Sequence, residues 1–263
     1  MSAPFFVVDD IHLSFGGVKA ITGASLSVEK GTLTALLGPN GAGKTSLLNC
    51  INGFYRPSKG SIRIEGQEIL GRRPHAISLL GVARTFQNVE VLGRSTVLQN
   101  VLLGRHIFMP DNLLTFGLGL GARIEAENRR RALEIMDFLG LADQADVTVG
   151  GLPYGRQKLV EIARALAMEP TLLLLDEPTS GMTPDEKHRV AEVIRNVGKR
   201  LGVTQILIEH DMAFINALCE RVVVLDFGKD IAAGLTRDVF RMPKVIEAYL
   251  GIPPADDAAK MPA

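Results

Sequence analysis

The chain has little cysteine, no surplus charge of either sign and no long hydrophobic run, and each shortage narrows what it can do. Two cysteines occur in 263 residues, Cys50 and Cys219, and neither sits in a CxxC pair. That removes the spacing of zinc and dithiol redox sites. Cys50 falls in the apolar run Leu47–Ile51 and reads as a small buried hydrophobe. Lys plus Arg number 29 and Asp plus Glu number 29. A zero balance gives no electrostatic ground for nucleic acid or an anionic membrane surface as the main ligand. The least polar stretch, Ile107–Ala122, is broken by Pro110, Asp111, Asn112 and three glycines, too short and interrupted to span a bilayer. The opening MSAPFFVVDD has no basic segment and carries early acids, so it does not read as a signal peptide. A cytosolic protein is expected unless a membrane partner holds it. No internal repeat is found.

What is present is an ordinary globular composition, 46% hydrophobic and 22% charged. The length suits one large α/β domain or two small ones. Residues 5–13 and 24–28 read as short strands, with a Gly16-Gly17 turn between the flanking segments. Leu33–Leu37 is an apolar run opening into glycine-rich Gly38–Gly43, and Thr45–Gly53 reads as a helix. Ser61–Glu65 alternates like a strand. Glu125–Leu141, Leu159–Met168 and Pro184–Leu201 carry helical patterns. Thr171–Leu175, Gln205–Glu209 and Arg221–Asp226 read as strands, the first typical of a buried parallel strand. The alternation predicts an α/β domain with a mainly parallel sheet over residues 1–251. A helix-rich insert is expected over about 88–168, and a frayed Pro/Ala-rich tail over 252–263.

The strongest chemical signal is Gly38-Pro39-Asn40-Gly41-Ala42-Gly43-Lys44-Thr45, which fits G-x-x-x-x-G-K-[ST] with a strand before it and a helix after. Glycines let backbone wrap phosphate without Cβ clashes. Successive N–H groups and the helix N-terminus, where Ser46 follows, offer positive dipole ends. Lys44 reaches the outer phosphates as a point charge, and Thr45 supplies a hydroxyl oxygen for Mg²⁺. The second signal is Leu172–Glu177, LLLLDE. A buried strand ending in Asp176 sets a carboxylate at a sheet edge, suited to hold Mg²⁺. Glu177 follows and can polarise an attacking water as general base. Together the two signals describe a P-loop NTPase. The N-K-x-D guanine reader of a small GTPase is absent.

The remaining motifs resemble those of ABC ATPases, and the resemblance spans residues 5 to 251. Gly150–Leu166 (GGLPYGRQKLVEIARAL) resembles the family's signature segment. Its core reads Leu152-Pro153-Tyr154-Gly155-Arg156 in place of the usual LSGGQ, while EIARAL matches closely. Thr85-Phe86-Gln87 resembles the Q-loop, Pro178–Asp185 the D-loop and Glu209-His210-Asp211 the switch-histidine segment. Phe15 sits where the family stacks an aromatic on adenine. The resemblance implies a RecA-like core with a small antiparallel β part and an inserted helical subdomain. It implies ATP and Mg²⁺ as ligands. Glu177, Gln87 and His210 would be catalytic, Gln87 would also touch the metal, and Tyr154, Gly155 and Arg156 would face a second subunit's nucleotide.

Pro153 lacks both the hydroxyl and the N–H of the usual serine. Arg156 stands where glutamine is usual, open either to contact phosphate or to point into solvent. VARTFQN (82–88), LIEHDM (207–212) and IEAYLG (246–251) further resemble the ATPases of bacterial importers for branched-chain amino acids, urea and short amides. The partners this implies are a second ATPase subunit, two polytopic permease subunits and, indirectly, a periplasmic solute-binding protein. The expected place is peripheral, at the cytoplasmic face of the inner membrane. An exporter or lipid-transport ATPase would share the same engine and stands as the alternative. His106–Gly121 is open to being either a buried piece of the helical subdomain or a docking patch for the membrane partner.

Overall fold

The computed structural model describes residues 4–87, 89–109 and 120–250. The chain divides into two compact units, one built from Met1–Ile77 with Gly198–Ala263 and the other from Ser78–Val197. In chain order the described α-helices are α1 (Lys44–Ile51), α2 (Pro74–Ser78), α3 (Val97–Gly104), α4 (Leu120–Phe138), α5 (Tyr154–Leu166), α6 (Pro184–Leu201), α7 (Met212–Leu218), α8 (Thr236–Val239) and α9 (Pro243–Leu250).

The first unit holds two sheets. β1 (Phe6–Phe15) and β2 (Val18–Val28) form an antiparallel hairpin. β4 (Lys59–Ile64) and β5 (Gln67–Glu68) extend it in the order β2-β1-β4-β5. In β1 the register slips between Val8 and Ile11, where Asp10 has φ 49°. The bulge lets Val8 and Ile11 both face the core although they are three residues apart. The expected strand over 24–28 is therefore part of a much longer one. Its first half carries an exposed Val18 and a Gly23 at φ 119°, which hide the alternation in sequence.

In the other sheet of this unit β3 (Leu33–Leu37) lies between β8 (Thr204–Ile208) and β9 (Arg221–Asp226), parallel to both. β10 (Lys229–Leu235) pairs antiparallel with β9. Every residue of β8 is buried. Strands covered on both faces read as near-continuous apolar runs, as Val222–Leu225 of β9 does.

In the second unit β6 (Val82–Arg84) pairs parallel with β7 (Leu172–Asp176), whose five residues are all buried. The segment 88–168 contains α3, α4 and α5 and no strand among the described residues. Thr96 caps α3 by accepting from Gln99 N–H, and the Gln99 side chain returns to the Thr96 N–H. The helix read from Leu159 begins earlier, at Tyr154, because Pro153 is its N-cap with φ −54°. Most of Ile107–Ala122 and all of 252–263 lie outside the described residues.

Both thiols are buried, and burial pushes Cys50 and Cys219 up to about 12, so they act as packing groups. Among the described residues no helix is long and apolar enough to cross a membrane.

Candidate functional site

The phosphate loop leaves the end of β3 and runs into α1, all within the first unit. Gly38, at φ 147°, is pinned on three sides. A Cβ there would lie 2.1 Å from the Leu225 carbonyl oxygen of β9. Its N–H donates to the Tyr249 hydroxyl at 2.9 Å. Its carbonyl accepts from Lys44 Nζ at 2.6 Å, and the same ammonium reaches the Pro39 carbonyl at 3.0 Å. Lys44 is thus buried against its own loop and holds the loop's curve.

The far side of the loop is held as firmly. Gly228 N–H donates to the Ala42 carbonyl, and the Gly228 carbonyl accepts from Thr22 N–H at 2.7 Å. Gly43 is the N-cap of α1, and no side chain caps it. The first-turn N–H groups of α1 are left for an anion, with Asn40, Gly41 and Thr45 exposed and Ser46 half-buried nearby. This donor set, one ammonium plus oriented amides, suits a polyphosphate.

Phe15 ends β1 and is 46% exposed, with its ring edge-on to Tyr55 at 5.0 Å between centroids. An aromatic left this open at a strand end offers a face for stacking. Phe15→Ala is expected to weaken ATP binding by about 1–3 kcal/mol, the range of base–aromatic stacking. Nucleotide titration of the folded variant checks this, and unchanged affinity removes Phe15 from the site. His210 follows β8 through the buried Glu209 and is exposed, while Asp211 caps α7 by accepting from Ala213 and Phe214 N–H.

The second unit carries the acids. Asp176 closes β7, and its Oδ2 accepts from an Arg84 guanidinium NH2 at 2.7 Å, both side chains being 5% exposed. Arg84 also stacks on the Phe86 ring at 5.1 Å. Glu177 is next, at φ 46°, a left-handed conformation that costs a non-glycine residue about 1–2 kcal/mol. Its Oε2 accepts from the Gln87 amide nitrogen at 2.8 Å. The two sequence-predicted residues Gln87 and Glu177, ninety positions apart, therefore touch. Among the described residues no cluster of three His, Cys, Asp or Glu is arranged for a metal. Taken singly, the Thr45 hydroxyl and the Asp176 carboxylate are oxygen donors of the hard kind that suits Mg²⁺.

The signature segment opens α5. Tyr154 is exposed, and Gly155 packs against the Glu186 carboxylate of α6. Hydrogen bonds from Thr183 and from the Gly155 N–H hold the Glu186 carboxyl below the usual carboxylate range. Arg156 is tied to its own chain. Its guanidinium donates to the Gly140 carbonyl at 2.7 Å, just past the end of α4.

A profile of the ABC transporter family matches residues 21–180. The chain is 38% identical over 253 residues to the high-affinity branched-chain amino acid transport ATP-binding protein BraF of Pseudomonas aeruginosa, covering 95% of this chain and 99% of that protein. The chain belongs to the ABC transporter ATP-binding family. The same relation extends to the LivG proteins of Escherichia coli, at 35% over 95% of this chain and 99% of theirs, and of Archaeoglobus fulgidus, at 36% over 90% and 91%. Among solved structures, the ADP conformation of an ATP-binding cassette matches with a TM-score of 0.84 at 34% identity, covering 95% of this chain and all of that one.

This ABC cassette binds ATP, is an ATPase, and works with membrane permease subunits. Two contacts in it were not visible in sequence. Arg84 precedes the recognised Thr85-Phe86-Gln87, and only the β6–β7 pairing brings it to Asp176. Tyr249 belongs to IEAYLG, a piece with no assigned task, and α9 carries it to Gly38. Tyr249→Phe removes the acceptor of a loop N–H. The expected loss is about 1 kcal/mol, or roughly a fivefold weaker ATP affinity in the cassette. Calorimetric titration with ATP measures it, and an unchanged affinity shows that the loop holds its shape without the hydroxyl.

Proposed function

We propose that this cassette powers the import of branched-chain amino acids or related small amides. The observation that carries the reading is the near end-to-end similarity to BraF and the LivG proteins. The quoted pieces VARTFQN, LIEHDM and IEAYLG support it. On this reading the single ABC domain covers residues 1–251, with a helical subdomain at about 88–168.

In the proposed reaction the phosphate loop, Gly38 to Ser46, takes the triphosphate and Lys44 neutralises its outer charge. Phe15 stacks on adenine. Thr45, Asp176 and Gln87 would hold Mg²⁺, which would supply charge neutralisation on the phosphates. Glu177 accepts a proton from water as its oxygen bonds to the γ-phosphorus. The bond from that phosphorus to the bridging oxygen breaks, and ADP leaves with the electron pair. His210 donates to the γ-phosphate. Tyr154, Gly155 and Arg156 serve the nucleotide of a second ATPase subunit, with the pair peripheral at the cytoplasmic face below two permease subunits. A periplasmic binding protein and the permeases choose the solute.

The test is uptake of labelled leucine into proteoliposomes holding the assembled transporter with ATP inside. Uptake dependent on ATP and lost with Lys44→Ala is expected. ATP turnover indifferent to every branched-chain amino acid, with no uptake, overturns the assignment.

A further inference from the structure

Helix α5 buries two opposite charges on the face that should be apolar. Lys158 and Glu161 are each 1% exposed, among Leu159, Val160 and Ile162. Charge is placed there only when every donor and acceptor is used, because burial of an ion costs far more than burial of a hydrocarbon. Here each is used, and toward one target. Lys158 Nζ donates to the Phe86 carbonyl at 2.6 Å, to the Gln87 carbonyl at 3.0 Å and to Glu161 Oε2 at 3.1 Å. An ammonium has three protons, so none is left over. The other oxygen, Glu161 Oε1, accepts from the Phe86 N–H at 2.8 Å. Three backbone groups of Phe86 and Gln87 are therefore held by one buried pair.

We propose that the Lys158–Glu161 pair is a positioning latch, through which the helix opened by the signature segment sets the Gln87 amide against Glu177. Both latch residues act through Gln87 and touch no reacting atom. The chain of contacts is continuous: Lys158 and Glu161 fix the Phe86–Gln87 backbone, and the Gln87 side chain donates to Glu177 Oε2 at 2.8 Å. All of it lies within the second unit. A shift of α5 at its Tyr154 end is thereby conveyed to the carboxylate that receives the proton from water. A core-filling role alone would need no such pair. Two apolar side chains would fill the same space, and such replacements are often neutral or stabilising. The latch rests on the reading of Gln87 and Glu177 as catalytic.

The experiment compares full-length wild type, Lys158→Met, the double variant Lys158→Met/Glu161→Leu, Gln87→Ala, Glu177→Gln and Lys158→Met in the Gln87→Ala background. ATP turnover and Mg-ATP affinity are measured for each. Loss of the latch is expected to lower kcat by about 10- to 100-fold, the scale of an ångström-level misplacement, with affinity changed less than about twofold. The double variant leaves no uncompensated buried charge, so it reports even where the single variant does not fold. Hydrogen exchange at residues 86–87 should quicken in it while the core strand Leu172–Leu175 stays protected. In the Gln87→Ala background Lys158→Met should cost nothing more, since both break the same connection. Wild-type turnover by the double variant, or losses from Lys158→Met and Gln87→Ala that simply multiply, overturns the latch. Wild-type turnover by Gln87→Ala and Glu177→Gln instead overturns the catalytic reading beneath it, and the latch falls with that reading.

Discussion

Glu177→Gln is expected to bind ATP as tightly as wild type and to cleave it about 100-fold more slowly or worse. The substitution keeps the size of the side chain and its capacity to accept from the Gln87 amide, which stands 2.8 Å from Oε2. It removes only the ability to take a proton. The residue's placement is costly in itself. Glu177 holds φ 46° at the end of a strand whose five residues are all buried. Strain of that kind is kept where geometry is constrained from several sides. Here the constraints are the Gln87 bond and the adjacent Asp176, locked to Arg84. Phosphate release and nucleotide binding, followed on the same preparation, check the prediction.

Gly38→Ala is expected to be the most damaging single-methyl change in the phosphate loop. The added carbon would meet the Leu225 carbonyl oxygen at 2.1 Å and the Ala42 Cβ at 2.9 Å. Neither is the end of a flexible side chain. The residue also sits at φ 147°, which an L side chain rarely adopts. Strain and overpacking each cost about 1–3 kcal/mol. Their sum, about 2–6 kcal/mol, is a large part of a typical domain's stability. Thermal unfolding should shift down by many degrees and nucleotide binding should disappear. Gly41→Ala is the control: it shares a positive φ, 84°, but has nothing within 4 Å of the added carbon. It should lose only about 1 kcal/mol.

The parts of the site that were legible in sequence are those whose chemistry is local. Gly38 to Thr45 carries its phosphate-binding pattern in eight consecutive residues, flanked by a strand and a helix. Asp176 and Glu177 follow directly from a buried strand. What could not be read depends on partners far along the chain. Arg84 meets Asp176 only because β6 and β7 pair. Tyr249 reaches Gly38 across 211 positions. Lys158 and Glu161 look in sequence like the solvated charges of an amphipathic helix, and only the fold shows that they face inward. The first half of β2 was missed for a different reason. Its Val18 is exposed and its Gly23 has no side chain, so the two-residue period is absent where the strand begins.

The most direct measurement is a single-turnover assay with γ-labelled ATP, in which bound nucleotide and released phosphate are counted separately for wild type, Gly38→Ala and Glu177→Gln. If the phosphate loop binds and Glu177 cleaves, wild type binds and releases label, Gly38→Ala does neither, and Glu177→Gln retains its label uncleaved. Release of phosphate by Glu177→Gln at the wild-type rate, or tight binding by Gly38→Ala, contradicts the account.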